Sequence, residues 1–409
     1  MFAGNAPSWR AYVPIVLVAL IGVLVTWQAF NAVTGWEHQR VQQAFRAAAT
    51  DRILMVQREI EQNLGVVQDI GSFFGASRWV DRREFRKFVE PALKRYTSIT
   101  ALQWIPRLPA KERISFEEEA RRSFARFRIT ETNQAGDLVR AGKRPVHFPV
   151  LYVQPYQLNK QALGLDLAAD PVVLEALQQT RDSGQMRISP LIPLERESII
   201  EYGFAARLAV YNKADTNEIE AEDEEEDAPP DTPEQRQQLL RGFAAGFFIL
   251  ADIVEDALQN LSPSGIDIVF HDVSAPDERH YLYRHASRIR PAKSGLRTPE
   301  NSESRKPWEF VQTINVRDRQ WEVLCTSVPG FFQPDPWSGW VTLAGGLPFT
   351  ALLAIYLSTL VGRTAKVKRL VTERTIQLVE VNAELNNEIN ERLNAEKELQ
   401  SLNETLEQR

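Results

Sequence analysis

The chain has 409 residues, 44% hydrophobic and 25% charged, with a net charge of −6 at neutral pH. Most of it reads as ordinary globular protein, with no cationic surplus for gripping nucleic acid. Cys325 is the single cysteine, which excludes an intramolecular disulfide and a thiolate metal cluster.

Residues 1–10 precede a run between Arg10 and Glu37 that holds no charge. Its core, VPIVLVALIGVLVTWQAF, would rise about 27 Å as a helix, close to the roughly 30 Å hydrocarbon core of a bilayer. Trp9 and Trp36 flank it, where amphipathic rings favour the interface. A transmembrane helix is expected over 11–34 rather than a cleaved signal peptide, because no small-x-small cleavage site follows. Over 35–78, apolar residues recur every three or four positions: Val41, Phe45, Ala48, Ile53, Val56, Ile60, Leu64, Val67, Ile70 and Phe74. This predicts a long stalk helix whose stripe is buried on the adjoining domain or on a second copy of the chain.

Residues 79–260 mix helix and strand signals. RREFRKFVEPALKRY has a helical apolar face, 100–106 alternates as a strand, and Pro109 stands ahead of a helix over 110–122. FRIT, residues 127–130, is a short strand candidate, and HFPVLYVQP, residues 147–155, a buried strand bounded by prolines. Asp170, Pro171 and Gly184 are an N-cap, a first-turn proline and a C-terminal glycine for the helix between them. MRISPLIPL, YGFAARLAVY and LLRGFAAGFFI are strands, and LADIVEDALQNL a helix. The acidic tract 214–235 has the composition of a disordered insertion rather than the ligand spacing of a calcium loop. Residues 261–335 form a second, strand-rich lobe. None of the five histidines has metal-ligand spacing, and His280 and His285 read as ordinary surface or strand residues with no carboxylate pattern nearby.

A second uncharged stretch between Asp335 and Arg363 predicts a membrane helix over 337–362, with Trp337 and Trp340 at one interface. Gly345, Gly346 and Pro348 are tolerated in bilayer helices, and Pro348 is a candidate kink. Arg363, Lys366, Lys368 and Arg369 follow at once. The positive-inside rule then puts both termini in the cytoplasm and 37–335 outside, in an inner-membrane protein that crosses twice. Residues 363–409 lack proline and glycine after Val367, and Leu378, Leu385, Leu399, Leu402 and Leu406 follow a partial heptad. A cytoplasmic signalling coiled coil is expected there. The tail has no histidine and no glycine-rich nucleotide loop, so no catalytic residues are assigned.

Taken together, ALQWIPRLPAKERISFEEEA, FPVLYVQPYQLNKQALGLDLAADPVVLEALQQTRDSGQMRISPLIPL, GFAARLAVY and RGFAAGFFILADIVEDAL resemble the CHASE domain, the extracytoplasmic sensing domain of plant cytokinin receptors and many bacterial sensors. The tail also resembles the linker helix ahead of histidine-kinase or cyclase modules. The resemblance implies an α+β fold with a long stalk helix and tandem PAS-like lobes, and a small-molecule ligand in the membrane-distal lobe. Trp104, Tyr152, Gln154, Arg207 and Tyr211 lie on or beside strands that would line such a pocket. Asp166 is a further candidate contact, against a capping or turn role. Cytokinin receptors carry a purine-binding aspartate at the position matching Pro145, beside Arg144, so the ligand is expected to differ from a cytokinin.

The sequence therefore points to a receptor input module with an unknown small-molecule ligand and no metal or cofactor. Its expected partners are membrane lipid, a second copy paired through stalk and coiled coil, and a cytoplasmic output domain or kinase. The alternative is a membrane-anchored scaffold that binds a protein or envelope component.

Overall fold

The computed structural model describes residues 12–196, 199–212, 230–275, 278–289 and 307–407. The chain divides into two compact units, Met1–Val41 with Pro334–Arg409, and Gln42–Gln333. Its helices are α1 (Val13–Ala76), α2 (Arg82–Arg95), α3 (Arg113–Ser123), α4 (Pro171–Ser183), α5 (Pro233–Leu239), α6 (Leu250–Leu258) and α7 (Trp337–Glu407).

In the first unit, α1 and α7 each carry a window apolar and long enough to cross a membrane. Small residues let them approach closely. A Cβ added at Gly346 would lie 2.4 Å from Thr26 Cγ2, and one at Gly22 would lie 2.4 Å from Thr350 Cγ2. The Thr26 and Thr350 hydroxyls donate back to the Gly22 and Gly346 carbonyls, both at 2.8 Å, so neither polar group is left bare in an apolar setting. Pro348 sits inside α7 without ending it. Leu378, Leu385 and Leu399 are exposed; the side chains of Leu402 and Leu406 lie outside the described residues.

The second unit holds two antiparallel sheets. The larger contains β1 (Ile99–Pro106), β6 (Tyr152–Gln154), β7 (Arg187–Ile188), β8 (Ile192–Arg196), β9 (Ile199–Tyr211) and β10 (Leu240–Ile249). Its order is β6-β1-β10-β9-β7, with β8 also paired to β9. Two small ribbons adjoin it: β2 (Leu108–Pro109) with β5 (Val146–His147), and β3 (Thr130–Thr132) with β4 (Leu138–Arg140). The smaller sheet runs β12-β11-β14-β13, from β11 (Ile266–Ala275), β12 (Glu278–His285), β13 (Glu309–Val316) and β14 (Arg319–Ser327). Trp321 of the smaller sheet meets Phe204 of the larger edge to face, centroids 5.6 Å apart, and both are fully buried.

Within this unit the stripe of α1 from Phe45 to Phe74 is buried on the sheets. Ala49, at 0% exposure, fills the position expected for Ala48, which packs only partly. Each large aliphatic side chain so covered contributes roughly 1.5–3 kcal/mol. Arg241 of β10 donates to the Phe74, Ser77 and Arg78 carbonyls, satisfying the end of α1 where the helix stops. A capping box of Asp81 and Glu84 starts α2. Asp170 caps α4, Pro171 opens it, and Gly184 closes it in the left-handed conformation, φ 68°.

Several local expectations shift. Residues 127–129 are not a strand; β3 begins at Thr130. Their backbone is held by side chains of α3 instead: Glu117 accepts from Ile129 N, and Arg121 and Arg113 donate to the Phe127 and Ile129 carbonyls. The strand expected over 147–155 is split, because Phe148 N and Val150 N bond to Asp166 and Leu165 rather than to a neighbouring strand, and Pro149 has no N–H. Residues 110–112 form a single 3-10 turn before α3. Of the acidic tract, 214–229 lies outside the described residues, but its end is ordered: Thr232 and Gln235 make a capping box that starts α5. Arg236 of α5 then donates to the Asp182 and Pro230 carbonyls.

Candidate functional site

Register divides the six candidate residues. Trp104 is opposite Tyr152 and Ala244, Leu102 is opposite Gln154, and Ala244 is opposite Leu208. Opposed residues point to the same side of a sheet, so Trp104, Tyr152 and Gln154 share the face turned towards α1. There Trp104 stacks on Phe74, the Tyr152 hydroxyl donates to the Val80 carbonyl at 3.0 Å, and Gln154 accepts from Tyr156 N at 3.3 Å. Burial pushes the Tyr152 phenol up to about 12.

The next row across the sheet is Val153, Gln103, Ala245 and Arg207. It points to the opposite face, where a second core gathers Ile105, Phe148, Val153, Leu177 of α4, Ala209 and Phe243. Arg207 and Tyr211 alternate with Ala209 on this face. The Tyr211 hydroxyl donates to the Arg181 carbonyl of α4 at 2.5 Å, and burial raises its phenol to about 12. The candidates thus do not converge on one cavity: Trp104 packs on Phe74 of α1, Tyr152 stacks on Phe85 of α2, Gln154 shares their face, and two others face α4. Gln103, only 4% exposed, was missed by sequence reasoning, although strict alternation along QWIP would have set it opposite to Trp104.

Asp166 lies at the edge of this second core as a fully engaged carboxylate. It accepts from Arg144 at 2.7 Å, His147 at 2.6 Å, Phe148 N at 2.8 Å and Ala168 N at 3.1 Å. It also starts the 3-10 turn Leu167–Ala169, which is the capping role weighed for it. Arg144 continues to Glu131 at 2.8 Å, and the hydrogen bond from Arg144 holds the Glu131 carboxyl below its usual range. The histidines also need correction. His285 has a carboxylate after all: its Nδ1 is 2.7 Å from Glu255 of α6, whose carboxyl is lowered chiefly by that hydrogen bond. No group of three or more possible metal ligands occurs among the described residues.

A groove of about 920 Å³ lies between α1 and α2, lined by Val66, Phe73, Phe88, Val89, Arg95 and Tyr96 among others. Phe73 and Phe88 stack across it, centroids 4.2 Å apart.

A family model described as the CHASE domain matches residues 78–283. The chain belongs to the CHASE-domain family. The CHASE match takes in α2, the whole larger sheet and most of the first hairpin of the smaller one. The hybrid signal transduction histidine kinase A of Dictyostelium discoideum is 22% identical over 415 residues, covering 97% of this chain but 18% of that protein. The chain thus spans under a fifth of that relative's length. Among solved structures, the periplasmic sensory domain of the Campylobacter jejuni chemoreceptor Tlp1 is 12% identical, with 75% of this chain and 98% of that chain covered at a TM-score of 0.37. The ligand-binding domain of the Pseudomonas aeruginosa amino acid chemoreceptor PctC, in complex with GABA, is 12% identical over 70% of this chain and 99% of its own, at a TM-score of 0.36. The chain therefore presents a CHASE sensor domain flanked by two helices able to cross a membrane.

Proposed function

We propose that this chain is the input half of a transmembrane receptor. Its CHASE domain binds a small molecule outside the cell membrane, and α7 carries the change to a cytoplasmic output. The observation that carries this reading is the placement of the CHASE match between the two membrane-length windows. The domain limits are those read from the sequence, with both termini cytoplasmic and two PAS-like lobes. The relative's name supports a histidine kinase as the output. The ligand site is the α4-facing side of the larger sheet, with Arg207 and Tyr211 as its polar residues and Asp166 bracing its edge. Trp104, Tyr152 and Gln154 act behind it, coupling the sheet to α1. A second copy pairs along the stalk and the exposed leucines of the tail, and the open Phe73–Phe88 groove supports the stalk part of that pairing. A ligand transmits a signal only if it binds two states with different affinity. Cytokinin-type adenines are poor candidates, because Pro145 offers no carboxylate to a purine.

Hydrogen exchange on the full chain in lipid nanodiscs, with and without members of a metabolite library, tests the site. A true ligand protects residues 148–154, 166–180 and 203–211. Protection confined to the smaller sheet or to the α1–α2 groove would refute this location.

A further inference from the structure

Among the described residues of the second unit, the buried charges are matched, with one exception. Asp166 pairs with Arg144 at 2.7 Å, Glu117 with Arg121 at 3.0 Å, Asp267 with Arg284 at 2.9 Å and Asp272 with Arg319 at 2.6 Å. Arg207 is 7% exposed, yet no described carboxylate pairs with it, and its Nε is buried without a hydrogen-bond partner. Desolvation depresses its guanidinium, and among the described residues the acidic influence on it comes from Asp170. That carboxylate is occupied in capping α4 through Val172 N at 2.9 Å and Val173 N at 3.4 Å. An uncompensated guanidinium inside a core is costly and persists where something outside the chain completes it.

We infer that Arg207 anchors an organic carboxylate, bound on the α4-facing side of the larger sheet. The inference rests on the ligand site proposed above and names its chemistry. A guanidinium presents paired donors that match a carboxylate bidentately. The neighbours of Arg207 along its own sheet face are small, Ala245 directly across and Ala209 two residues along. Beyond Ala245 stands Gln103, about 10 Å from Arg207 across two strand spacings, able to bond a polar atom at the far side of the ligand. Ile105 and Phe243 border the row, which suits an apolar body. The charge count selects a monoanion. Arg187, in register with Arg207, is tied to Asp318 at 3.1 Å, so among the described residues one free guanidinium faces the site and a phosphate dianion would stay half uncompensated.

The test uses the full chain in nanodiscs, with butyrate and benzoate as probes, their uncharged amides butyramide and benzamide as controls, and inorganic phosphate as a third arm. The acids raise the melting temperature and protect 203–211 from exchange, while the amides and phosphate do neither. Arg207→Met weakens acid binding on the order of a hundredfold, and without ligand it melts no lower than the wild type, since it removes an unpaired buried charge. Arg207→Lys keeps a weakened response. Acid binding that survives Arg207→Met, equal responses to acid and amide, a response to phosphate alone, or no response to either acid overturns the assignment. So does an unliganded Arg207→Met chain that melts far below the wild type, because Arg207 would then be structural. A neutral compound that protects 148–154 and 203–211 while the acids do nothing would sink the Arg207 inference and leave the ligand-binding face standing. Protection confined to the smaller sheet would sink the face itself.

Discussion

The indole of Trp104 lies flat on the ring of Phe74, centroids 3.7 Å apart and planes 6° from parallel. Through this pair β1 of the larger sheet rests on the last turn of α1. Gly71 and Gly246 extend the seam: a Cβ at either would fall 2.8 Å from Leu208 or Val67. Whatever shifts β1 must therefore press on α1.

Truncating this contact should be expensive. Trp104→Ala is expected to destabilise the second unit by about 3–5 kcal/mol, the usual range for emptying a buried aromatic site. Trp104→Phe, which keeps a ring on Phe74, should cost clearly less. Thermal melting of both variants followed by circular dichroism checks the order, and equal losses would contradict a stacking role.

Asp166 should be the most sensitive carboxylate of the unit. Asp166→Asn leaves Arg144 and the buried His147 without their shared anion, at a cost of about 3–5 kcal/mol. Glu131→Gln removes only the more exposed partner of Arg144, a loss of at most about 1 kcal/mol. A chemical denaturation series on the two variants separates these outcomes.

Glu255 sets an acid limit on the smaller lobe. Its carboxyl is held below the ordinary value of 4.5 by hydrogen bonds from His285 and Tyr283. A carboxylate with a depressed folded value adds stability above its unfolded value and loses it as pH falls through the folded one. Melting temperature should therefore decline below about pH 4.5 partly through this group. Glu255→Gln should flatten that part of the profile and lower stability at pH 7. Because Glu255 is 49% exposed, solvent screening keeps the effect within about 1 kcal/mol. An unchanged acid limb in the variant would count against the pairing.

The two membrane helices should be linkable within one chain. The Cβ position at Gly346 lies 3.1 Å from Thr26 Cβ, near the separation a disulfide spans after a small adjustment. Thr26→Cys with Gly346→Cys should form an intramolecular bond on mild oxidation in nanodiscs, seen as a faster monomer band without reductant. Cys325 is buried, and burial raises its thiol to about 12, so it should not compete. A cross-linked dimer band instead would mean that these residues meet between chains.

Much of the frame was legible from local pattern. The charge-free runs, the spacing of three and four from Phe45 to Phe74, and the Asp170–Pro171–Gly184 signals all act within a few turns of their own helix, so their periodicity and caps are visible in the primary structure. Arg207 and Tyr211 could be marked as polar residues on a strand. Their alternation with Ala209 already implied one shared face.

What escaped depends on register and on partners distant in sequence. Whether Trp104 or Gln103 faces α4 turns on a single-residue choice that only pairing with β10 settles, since neighbours on a strand point oppositely. His147 and Asp166 are 19 residues apart, and His285 and Glu255 are 30 apart, with no local periodicity to announce either pair. The backbone of 127–129 looked like a strand because its side chains are β-compatible, yet Glu117, Arg113 and Arg121 took its hydrogen bonds first. The sequence alone determined the membrane-length helices, the stalk and the CHASE resemblance, because hydropathy, helical period and end-capping are local physics. Tertiary structure decided which polar residues meet, which are neutralised, and that the buried Arg207 Nε finds no hydrogen-bond partner among the described residues, because those outcomes depend on groups brought together only when the sheets close on α1 and α4.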